Sequence, residues 1–341
     1  MSFNELILSI MDRLDGQRTV SAPFHVLKGK KSGQTIQDIG YFGLHPFFGV
    51  ISDLQKGTYD EAVTQLCEAG LIEQADGPIK LTEKGRNRKK VPVRLDGWTF
   101  QGRERLFFAR LSLAVQTFSH VRAGNPVFDP AQTRTDIQFW VKDYLRKMNF
   151  SAPESYAAFR SQLTESLMLA DCPDRSKTIL VDRLSGIGIG GLTWRQISAE
   201  YGISEMDAKI EATAALHAWL AVLREEGFPM LIPFLEGVLR HSPLTDSTKR
   251  TLRLYKEGLS VDEIAAVRKL KRSTIEDHFV ELAMNDPAFD FTSFMSREAY
   301  ERVNDISKSS GSKKLRDIKE QLPELSYFQI RLALSAGGEQ P

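Results

Sequence analysis

The sequence predicts a mainly α-helical protein made of a winged helix with a small β-hairpin, a helical middle and helix-turn-helix modules. Apolar residues recur at intervals of three and four along most of the 341 residues, as they do on the buried face of a helix. A Gly77-Pro78 turn separates the short runs "LIEQ" and "IKLT", which suit a hairpin. Two stretches, 191–223 and 252–283, repeat the plan of apolar helix, tight turn and second helix.

The order of these patterns divides the chain into four predicted domains. Three helices and the hairpin place a winged-helix domain in residues 1–94, and residues 95–175 read as helices alone. A helix-turn-helix segment follows in residues 176–240, and a C-terminal helix-turn-helix domain occupies residues 241–341. With 42% hydrophobic residues the chain can bury several cores of this size.

Composition predicts a soluble protein of the cytoplasm, including its nucleoid, without a membrane partner. No apolar run has the length of a membrane span, and acidic residues stand near the N-terminus where a signal peptide is basic. The 45 basic residues are offset by 44 acidic ones, so the net charge of +1 does not by itself indicate nucleic acid. Any DNA-binding surface must therefore be local.

Neither glycine-rich stretch fits a nucleotide site. A P-loop around Lys30 would need glycine at the position of Phe24. The glycines of "SGIGIGGLTWRQ" match G-x-G-x-x-G, but Thr193 and Gln196 form a Thr-x-x-Gln capping box that starts the helix after the last glycine. We interpret the first stretch as a loop in which Gly29 ends one helix, and the second as a connector.

The sequence shows no catalytic constellation, no metal site and no cofactor site. Six histidines lack the H-x-x-x-H spacing of metal ligands, and two cysteines cannot form a four-thiolate zinc site. There is no G-x-S-x-G motif, and neither cysteine has a histidine close in sequence. We therefore expect a protein that is not an enzyme; an enzyme with an unrecognised site is the alternative from another class.

The C-terminal helix-turn-helix shows the apolar spacing that locks two helices together. Ile264 and Ala265 are expected to face the partner helix, Leu270 follows the turn, and Ile275 points inward from the second helix. Lys269 stands where such a turn usually has glycine, which disfavours the left-handed conformation.

The second helix of this module is predicted to present its N-terminal turn. Ser273 followed by Glu276 reads as a capping box, which would start the helix at Thr274. A donor-rich edge with the helix dipole behind it suits phosphate contact. This predicted edge consists of Lys271, Arg272, Ser273, Thr274 and His278. The alternative is a helix pair used only for packing or protein contact.

The middle helix-turn-helix, "LTWRQISAEYGIS", resembles the fourth region of bacterial sigma factors. Its second helix carries Glu205, Asp207 and Glu211 against the single Lys209. Because carboxylates repel a phosphate backbone, we expect this module to pack or to bind protein.

Basic density is highest after the hairpin, in "LTEKGRNRKKVPVR". The predicted DNA contacts in this basic strip are Arg86, Arg88, Lys89 and Lys90. Lys30 and Lys31, in the separate loop after Gly29, are predicted DNA contacts as well. A basic strip beside a wing is where DNA phosphates pass, whereas the alternative is a solvated linker.

Two long stretches resemble parts of RecQ-type DNA helicases. "HVLKGKKSGQTIQDIGYFGL" with "YDEAVTQLCEAGLIEQADGPIKLTEKG" resembles the winged-helix region of these enzymes, and "LRLYKEGLSVDEIAAVRKLKRSTIEDHFVEL" with "LRDIKEQLPELSYFQIRLAL" resembles the helix-turn-helix appended to some of them. Taken whole, the chain is similar to the YpbB-like family, which is encoded beside a RecQ-type helicase in Gram-positive bacteria. The helicase's Walker motif, acidic box and zinc cysteines are missing from the sequence.

The resemblance implies a non-enzymatic DNA-binding accessory factor of a RecQ-type helicase in DNA repair and recombination, with DNA and that helicase as partners. The alternative function is a helix-turn-helix transcription regulator. An accessory factor is expected to prefer forks, overhangs or junctions with little sequence bias, whereas a regulator binds a specific sequence.

Overall fold

The computed structural model describes residues 2–74, 78–88, 95–150, 152–225, 227–239, 244–286, 288–311 and 313–336. Contacts between Cα atoms divide the chain into two compact units. Unit 1 comprises residues 1–6 and 90–240, and unit 2 comprises residues 7–89 and 241–341. The four-domain division remains a prediction from sequence.

Helices dominate the described residues, as predicted. The helices of the N-terminal third are α1 (Phe3–Leu14), α2 (Ser21–Lys28), α3 (Gly33–Tyr41), α4 (Lys56–Glu68), α5 (Glu83–Arg88) and α6 (Gly97–Phe100). Those of the middle are α7 (Glu104–Arg122), α8 (Thr135–Lys147), α9 (Pro153–Leu169), α10 (Asp174–Asp182), α11 (Trp194–Tyr201) and α12 (Glu205–Glu225). Those of the C-terminal third are α13 (Asp246–Lys256), α14 (Val261–Arg268), α15 (Arg272–Asn285), α16 (Arg297–Ser310), α17 (Leu315–Gln321) and α18 (Tyr327–Ala336).

The predicted hairpin is present in unit 2. Strands β1 (Ile72–Gln74) and β2 (Ile79–Leu81) pair antiparallel, with Ile72 opposite Leu81. In β2, Ile79 and Leu81 are buried and Lys80 between them is exposed, because alternate strand residues point to opposite faces. The predicted turn glycine, Gly77, lies outside the described residues.

The core of unit 1 is built around aromatic residues of α7 and α12. Trp219 is buried and meets Phe107 edge to face, with ring centroids 5.3 Å apart. Phe107 also meets Phe234, which the Tyr144 ring approaches to 4.6 Å. Large rings that interlock in this way make α12 the central helix of the unit.

The C-terminal part of unit 2 encloses α15. Ile264, Ile275 and Phe279 are fully buried in a shared apolar cluster with residues of α13, and α3 and α18 also pack against α15. This arrangement leaves few positions of α15 open to solvent, which decides how the helix can contact another molecule.

Candidate nucleic-acid interface

Helix α14 of the C-terminal helix-turn-helix is fixed at both ends. Ser260 and Glu263 form a capping box at its start. Lys269 ends it in the left-handed conformation at φ 53°, the strained position that the sequence indicates. The sequence analysis missed this capping box, whose signal is the Ser-x-x-Glu spacing before an apolar turn.

The packing predicted for this module is confirmed. Ile264 and Ile275 are fully buried, and Ala265 and Leu270 pack against the same cluster. The backbone N–H of Leu270 donates to the carbonyl of Ala265 over 3.0 Å, which closes the turn. These contacts hold the start of α15 in place.

The predicted start of α15 is wrong by two residues. The helix begins at Arg272, and Lys271 is the N-cap residue without a side-chain capping hydrogen bond. Glu276 does not complete a box with Ser273, because it accepts a hydrogen bond of 3.1 Å from Nε of Arg272 instead. Lys271, Arg272 and Ser273 are exposed and Thr274 is half-buried, so the first turn does face solvent.

The charge of Arg272 is offset by two carboxylates. Its guanidinium bonds Asp262 of α14 as well as Glu276, and these bonds raise the pKa of Arg272 above its ordinary value. Lys271 makes no ion pair with any residue that the structure describes. Of these two side chains, Lys271 is therefore the stronger candidate for a phosphate contact.

His278 does not lie on the exposed edge where the sequence analysis placed it. Its ring is buried, and Nδ1 lies 2.8 Å from the hydroxyl of Thr251 in α13. Burial, and then the nearby Arg268 guanidinium, lower the pKa of His278 to about 4. A neutral imidazole that is enclosed in this way supports packing of the module and does not lie on the exposed edge.

Beyond its first turn, α15 is almost entirely enclosed. Eight of its residues are buried: Ile275, His278, Phe279, Val280, Glu281, Leu282, Ala283 and Met284. The recognition helix of a helix-turn-helix contacts base edges in the major groove with its N-terminal residues. In this structure α15 can offer DNA its N-terminal turn only.

The loop that contains Lys30 and Lys31 connects two capped helices, as the sequence analysis expects. Gly29 ends α2 in the left-handed conformation at φ 73°. Ser32 caps α3, and its hydroxyl accepts a hydrogen bond from the N–H of Thr35. Lys30 and Lys31 lie between the two caps and are exposed.

Further cations gather around Phe24 beside this loop. The ammonium groups of Lys28 and Lys56 lie 5.5 and 5.6 Å from the centre of the Phe24 ring. Burial lowers the pKa of His25, and the charges of Lys30 and Lys56 lower it further, which places these groups near one another. We call the set His25, Lys28, Lys30 and Lys56 the Phe24 cluster. The sequence analysis missed Lys56 because it lies on α4, far along the chain.

Helices α3 and α15 approach closely in unit 2. A Cβ atom on Gly33 would lie 2.4 Å from Oδ2 of Asp277, and one on Gly40 would lie 2.4 Å from Sδ of Met284. Asp277 also pairs with Arg331 of α18. The N-terminal loop and the C-terminal helix-turn-helix are thus carried by elements that pack together.

Part of the predicted basic strip is helical. Lys84, Arg86 and Arg88 are exposed on α5, and Lys84 donates a hydrogen bond of 2.8 Å to the carbonyl of Ala69. Lys89, Lys90 and Arg94 lie outside the described residues. Arg86 and Arg88 thus follow the hairpin directly, on a helix and not on an extended linker.

The middle helix-turn-helix has the predicted local structure. Thr193 and Gln196 form the capping box of α11, and Gly202 ends α11 in the left-handed conformation. Ile197 and Ala208 are buried between α11 and α12. Glu205 is exposed, whereas Glu211 is buried and bonds Arg175. Its assignment to packing or protein binding stays a prediction.

The described residues contain neither a metal-ligand cluster nor a helix that could span a membrane. No group of three or more histidine, cysteine, aspartate or glutamate side chains is placed to hold a metal ion there. In the same part of the chain, no helix is both long and apolar enough to cross a membrane.

Comparison with known proteins supports the helix-turn-helix assignment. Residues 247–334 match a family model described as a helix-turn-helix domain, which spans α13 to α18. The chain is 29% identical over 348 residues to Protein YpbB of Bacillus subtilis (strain 168), and the alignment covers 99% of this chain and 98% of that protein. No solved structure matches the chain significantly. A helix-turn-helix domain suggests DNA binding, and the similarity extends over the whole chain.

Proposed function

We propose that this protein is a non-enzymatic DNA-binding accessory factor of a RecQ-type helicase in DNA repair and recombination, and that it grips DNA mainly through phosphates. One observation carries the proposal: α15, the second helix of the helix-turn-helix, is enclosed beyond its first turn. Phosphate contacts position a protein on DNA but do not identify a sequence. Such binding suits a factor that must act on any DNA that its helicase meets.

The charges on the outer face of α4 also support a winged helix that contacts DNA only through a few phosphates. This helix precedes the hairpin, and its exposed residues include Asp60, Glu61 and Glu68, while Lys56 is ion-paired with Asp60. Carboxylates on this face would repel a phosphate backbone. Only the N-terminal end of α4, where Lys56 joins the Phe24 cluster, is suited to DNA.

The helicase partner is inferred from the resemblance of both ends of the chain to RecQ-type enzymes. A chain with DNA grips but without a motor can influence unwinding by holding DNA near a motor. Such tethering raises the effective concentration of the helicase on its substrate without a new chemical step.

A transcription regulator is the second candidate, and the helix-turn-helix domain favours it. A regulator reads base edges and binds its own site about 10³ to 10⁷ times more tightly than other DNA. Binding to a pool of random duplexes separates the two functions. An accessory factor retains no preferred sequence, whereas a regulator enriches one.

The decisive experiment measures unwinding of a forked DNA by the RecQ-type helicase of the same organism, at limiting enzyme, with and without this protein. We expect faster unwinding and an unchanged ATPase rate at saturating DNA. Lys271→Glu is expected to reduce the stimulation, because it reverses the charge at the exposed start of α15.

Lys142→Glu is the matched control, since Lys142 is also exposed on a helix but lies in unit 1 on α8. Both variants change the net charge equally, and a circular-dichroism melt verifies that each is folded. Full stimulation by a folded Lys271→Glu protein would remove α15 from the interface. Absence of any stimulation by the native protein would refute the helicase role.

A further inference from the structure

A cleft in unit 2, distinct from the start of α15 and from the Phe24 cluster, has six cations and one carboxylate among its lining residues. It consists of two adjoining pockets of about 550 and 730 Å³, which share Gln17 and Tyr41 as lining residues. Its charged lining residues are Arg13, Arg18, Lys308, Lys313, Lys314 and Arg316, with Asp15 as the single carboxylate among them. An elongated recess with this imbalance attracts a polyanion.

Three separate segments build the cleft. The end of α1 and the turn after it supply Arg13, Asp15, Gln17, Arg18 and Thr19, and α3 supplies Gln34, Gln37 and Tyr41. The end of α16 supplies Lys308, and Lys313, Lys314 and Arg316 lie at the start of α17 or just before it. The hairpin borders it, because Thr19 forms an isolated antiparallel bridge with Pro78. Lys80 of β2 lies at the same turn, with its Cγ 2.8 Å from where a Cβ on Gly16 would be.

Gln17 holds the basic connection in place. Its side-chain oxygen accepts a hydrogen bond of 2.7 Å from the N–H of Lys313, and its nitrogen donates one of 3.3 Å to the carbonyl of Gly311. The Lys313 ammonium bonds the carbonyl of Tyr41 and lies 5.4 Å from the centre of the Phe42 ring. The connection is therefore fixed to the α1–α2 turn and to α3, and the cleft is preformed.

Several cations of the cleft are bonded to other parts of unit 2. Arg18 is paired with the buried Asp38, Arg13 donates to the carbonyl of Gly43, and Lys313 bonds the carbonyl of Tyr41. Lys308, Lys314 and Arg316 are exposed, and Arg316 shares a surface ion pair with Glu320. Exposed cations along one recess can bond successive phosphates of one strand.

We propose that this cleft is a second phosphate-binding surface for a nucleic-acid strand, formed by the α1–α2 turn, α3 and the connection from α16 to α17. The proposal rests on the proposed DNA binding and names a further surface for it. The proposed DNA binding and the exposed cations Lys308, Lys314 and Arg316 favour a nucleic-acid strand as the occupant, and an acidic protein segment is an outcome of the test.

The test compares binding of a fluorescent single strand of about 30 bases by the native protein and by the triple variant Lys308→Ala, Lys314→Ala, Arg316→Ala. Each lost phosphate contact lowers the slope of log affinity against log salt by about 0.7 on a single strand, so the slope should fall by about 2. We expect Kd at 0.1 M salt to rise at least fivefold. Single substitutions, each lowering the slope by about 0.7, keep the test valid if the triple variant unfolds.

The control variant removes three exposed cations of α13 in the same unit, by Lys249→Ala, Arg253→Ala, Lys256→Ala. It carries the same net charge as the cleft variant and is expected to change Kd less than twofold. If the native protein binds DNA, if Lys271→Glu weakens that binding and if the cleft variant binds like the native protein, the cleft inference fails alone. If the native protein binds no DNA, the proposed function fails as well.

Competition identifies the ligand. Three competitors are added separately to the complex of native protein and fluorescent single strand: the unlabelled single strand as DNA competitor, poly-glutamate of equal charge, and inorganic phosphate at millimolar concentration. Displacement by the DNA competitor at a much lower concentration than by either agent supports a nucleic-acid site. Equal displacement by poly-glutamate would assign the cleft to acidic protein, and strong displacement by phosphate would assign it to a small anion.

Discussion

Gly33 at the start of α3 leaves the space that the carboxylate of Asp277 in α15 occupies: a Cβ atom at position 33 would lie 2.4 Å from Oδ2. The same carboxylate pairs with Arg331 of α18 and is therefore not free to swing away. The N-terminal winged helix and the C-terminal helix-turn-helix thus depend on each other for their packing in unit 2.

Gly33→Ala is expected to destabilise the protein, because the added methyl group must displace Asp277 or shift α3. Overpacking of this kind costs about 1–3 kcal/mol of the free energy of unfolding. Denaturant unfolding measures it, and Gly57→Ala serves as control, since a Cβ at Gly57 of α4 meets nothing within 4 Å. Equal stability of the Gly33→Ala and native proteins would contradict the close packing of α3 on α15.

Stability should depend on pH through His278. The pKa of the buried ring is lowered to about 4 from an ordinary 6.5, so between these values the unfolded chain binds more protons than the folded one. Stability is therefore expected to fall as the pH drops from about 6.5 to about 4, by at most roughly 3 kcal/mol for the whole shift.

His278→Gln isolates this contribution. Glutamine can still bond Thr251 but does not titrate, so the difference in unfolding free energy between native and variant proteins should shrink from pH 7.5 to pH 5. Urea unfolding at both pH values measures that difference, in which the other five histidines cancel. A difference that is the same at both pH values would mean that His278 titrates normally in the folded protein.

The ion pairs of Arg272 with Asp262 and Glu276 lead to a further prediction for DNA binding. Arg272→Ala is expected to weaken binding, because it leaves Asp262 and Glu276 as uncompensated negative charges at the start of α15. Adding Asp262→Asn and Glu276→Gln to this variant should restore most of the affinity. Binding titrations of the native protein, Arg272→Ala, Asp262→Asn with Glu276→Gln, and the variant with all three substitutions measure the coupling. Failure of the added substitutions to restore affinity would show that Arg272 itself contacts a phosphate.

Signals that act over a few residues were sufficient to predict much of this fold. The capping box of Thr193 and Gln196, the left-handed Gly29 and the inward Ile264 and Ile275 depend on neighbours along the chain, and all are confirmed. The DNA contacts at Lys30, Lys31, Arg86, Arg88 and the start of α15 stay predictions, although all these residues except the half-buried Thr274 are exposed.

The two errors arise where another residue competes for a side chain. Ser273 and Glu276 have the spacing of a capping box, but Arg272, four residues before Glu276 and also bonded to Asp262, bonds this carboxylate instead. His278 looks like part of a polar edge until α13 brings Thr251 against its ring. The spacing of residues along the chain does not show contacts between separate helices, and the cleft cations and Lys56 of the Phe24 cluster were missed for that reason.

The Phe24 cluster should contribute to DNA binding independently of α15. Lys30→Ala with Lys56→Ala removes two of its exposed cations, and each lost phosphate contact lowers the slope of log affinity against log salt by about 0.9 on duplex DNA. We expect the slope of the double variant to decrease by about 2, at about 0.9 for each of the two contacts. Fluorescence anisotropy over a range of salt concentrations measures the slope, and Lys142→Ala with Lys256→Ala is the control of equal charge.

The pKa of His25 provides a second measurement on the same double variant. Because Lys30 and Lys56 lower this pKa, removing both charges should raise it, and NMR titration of the imidazole can follow the change. A raised His25 pKa with an unchanged salt slope would show that the cluster exists as described but does not touch DNA.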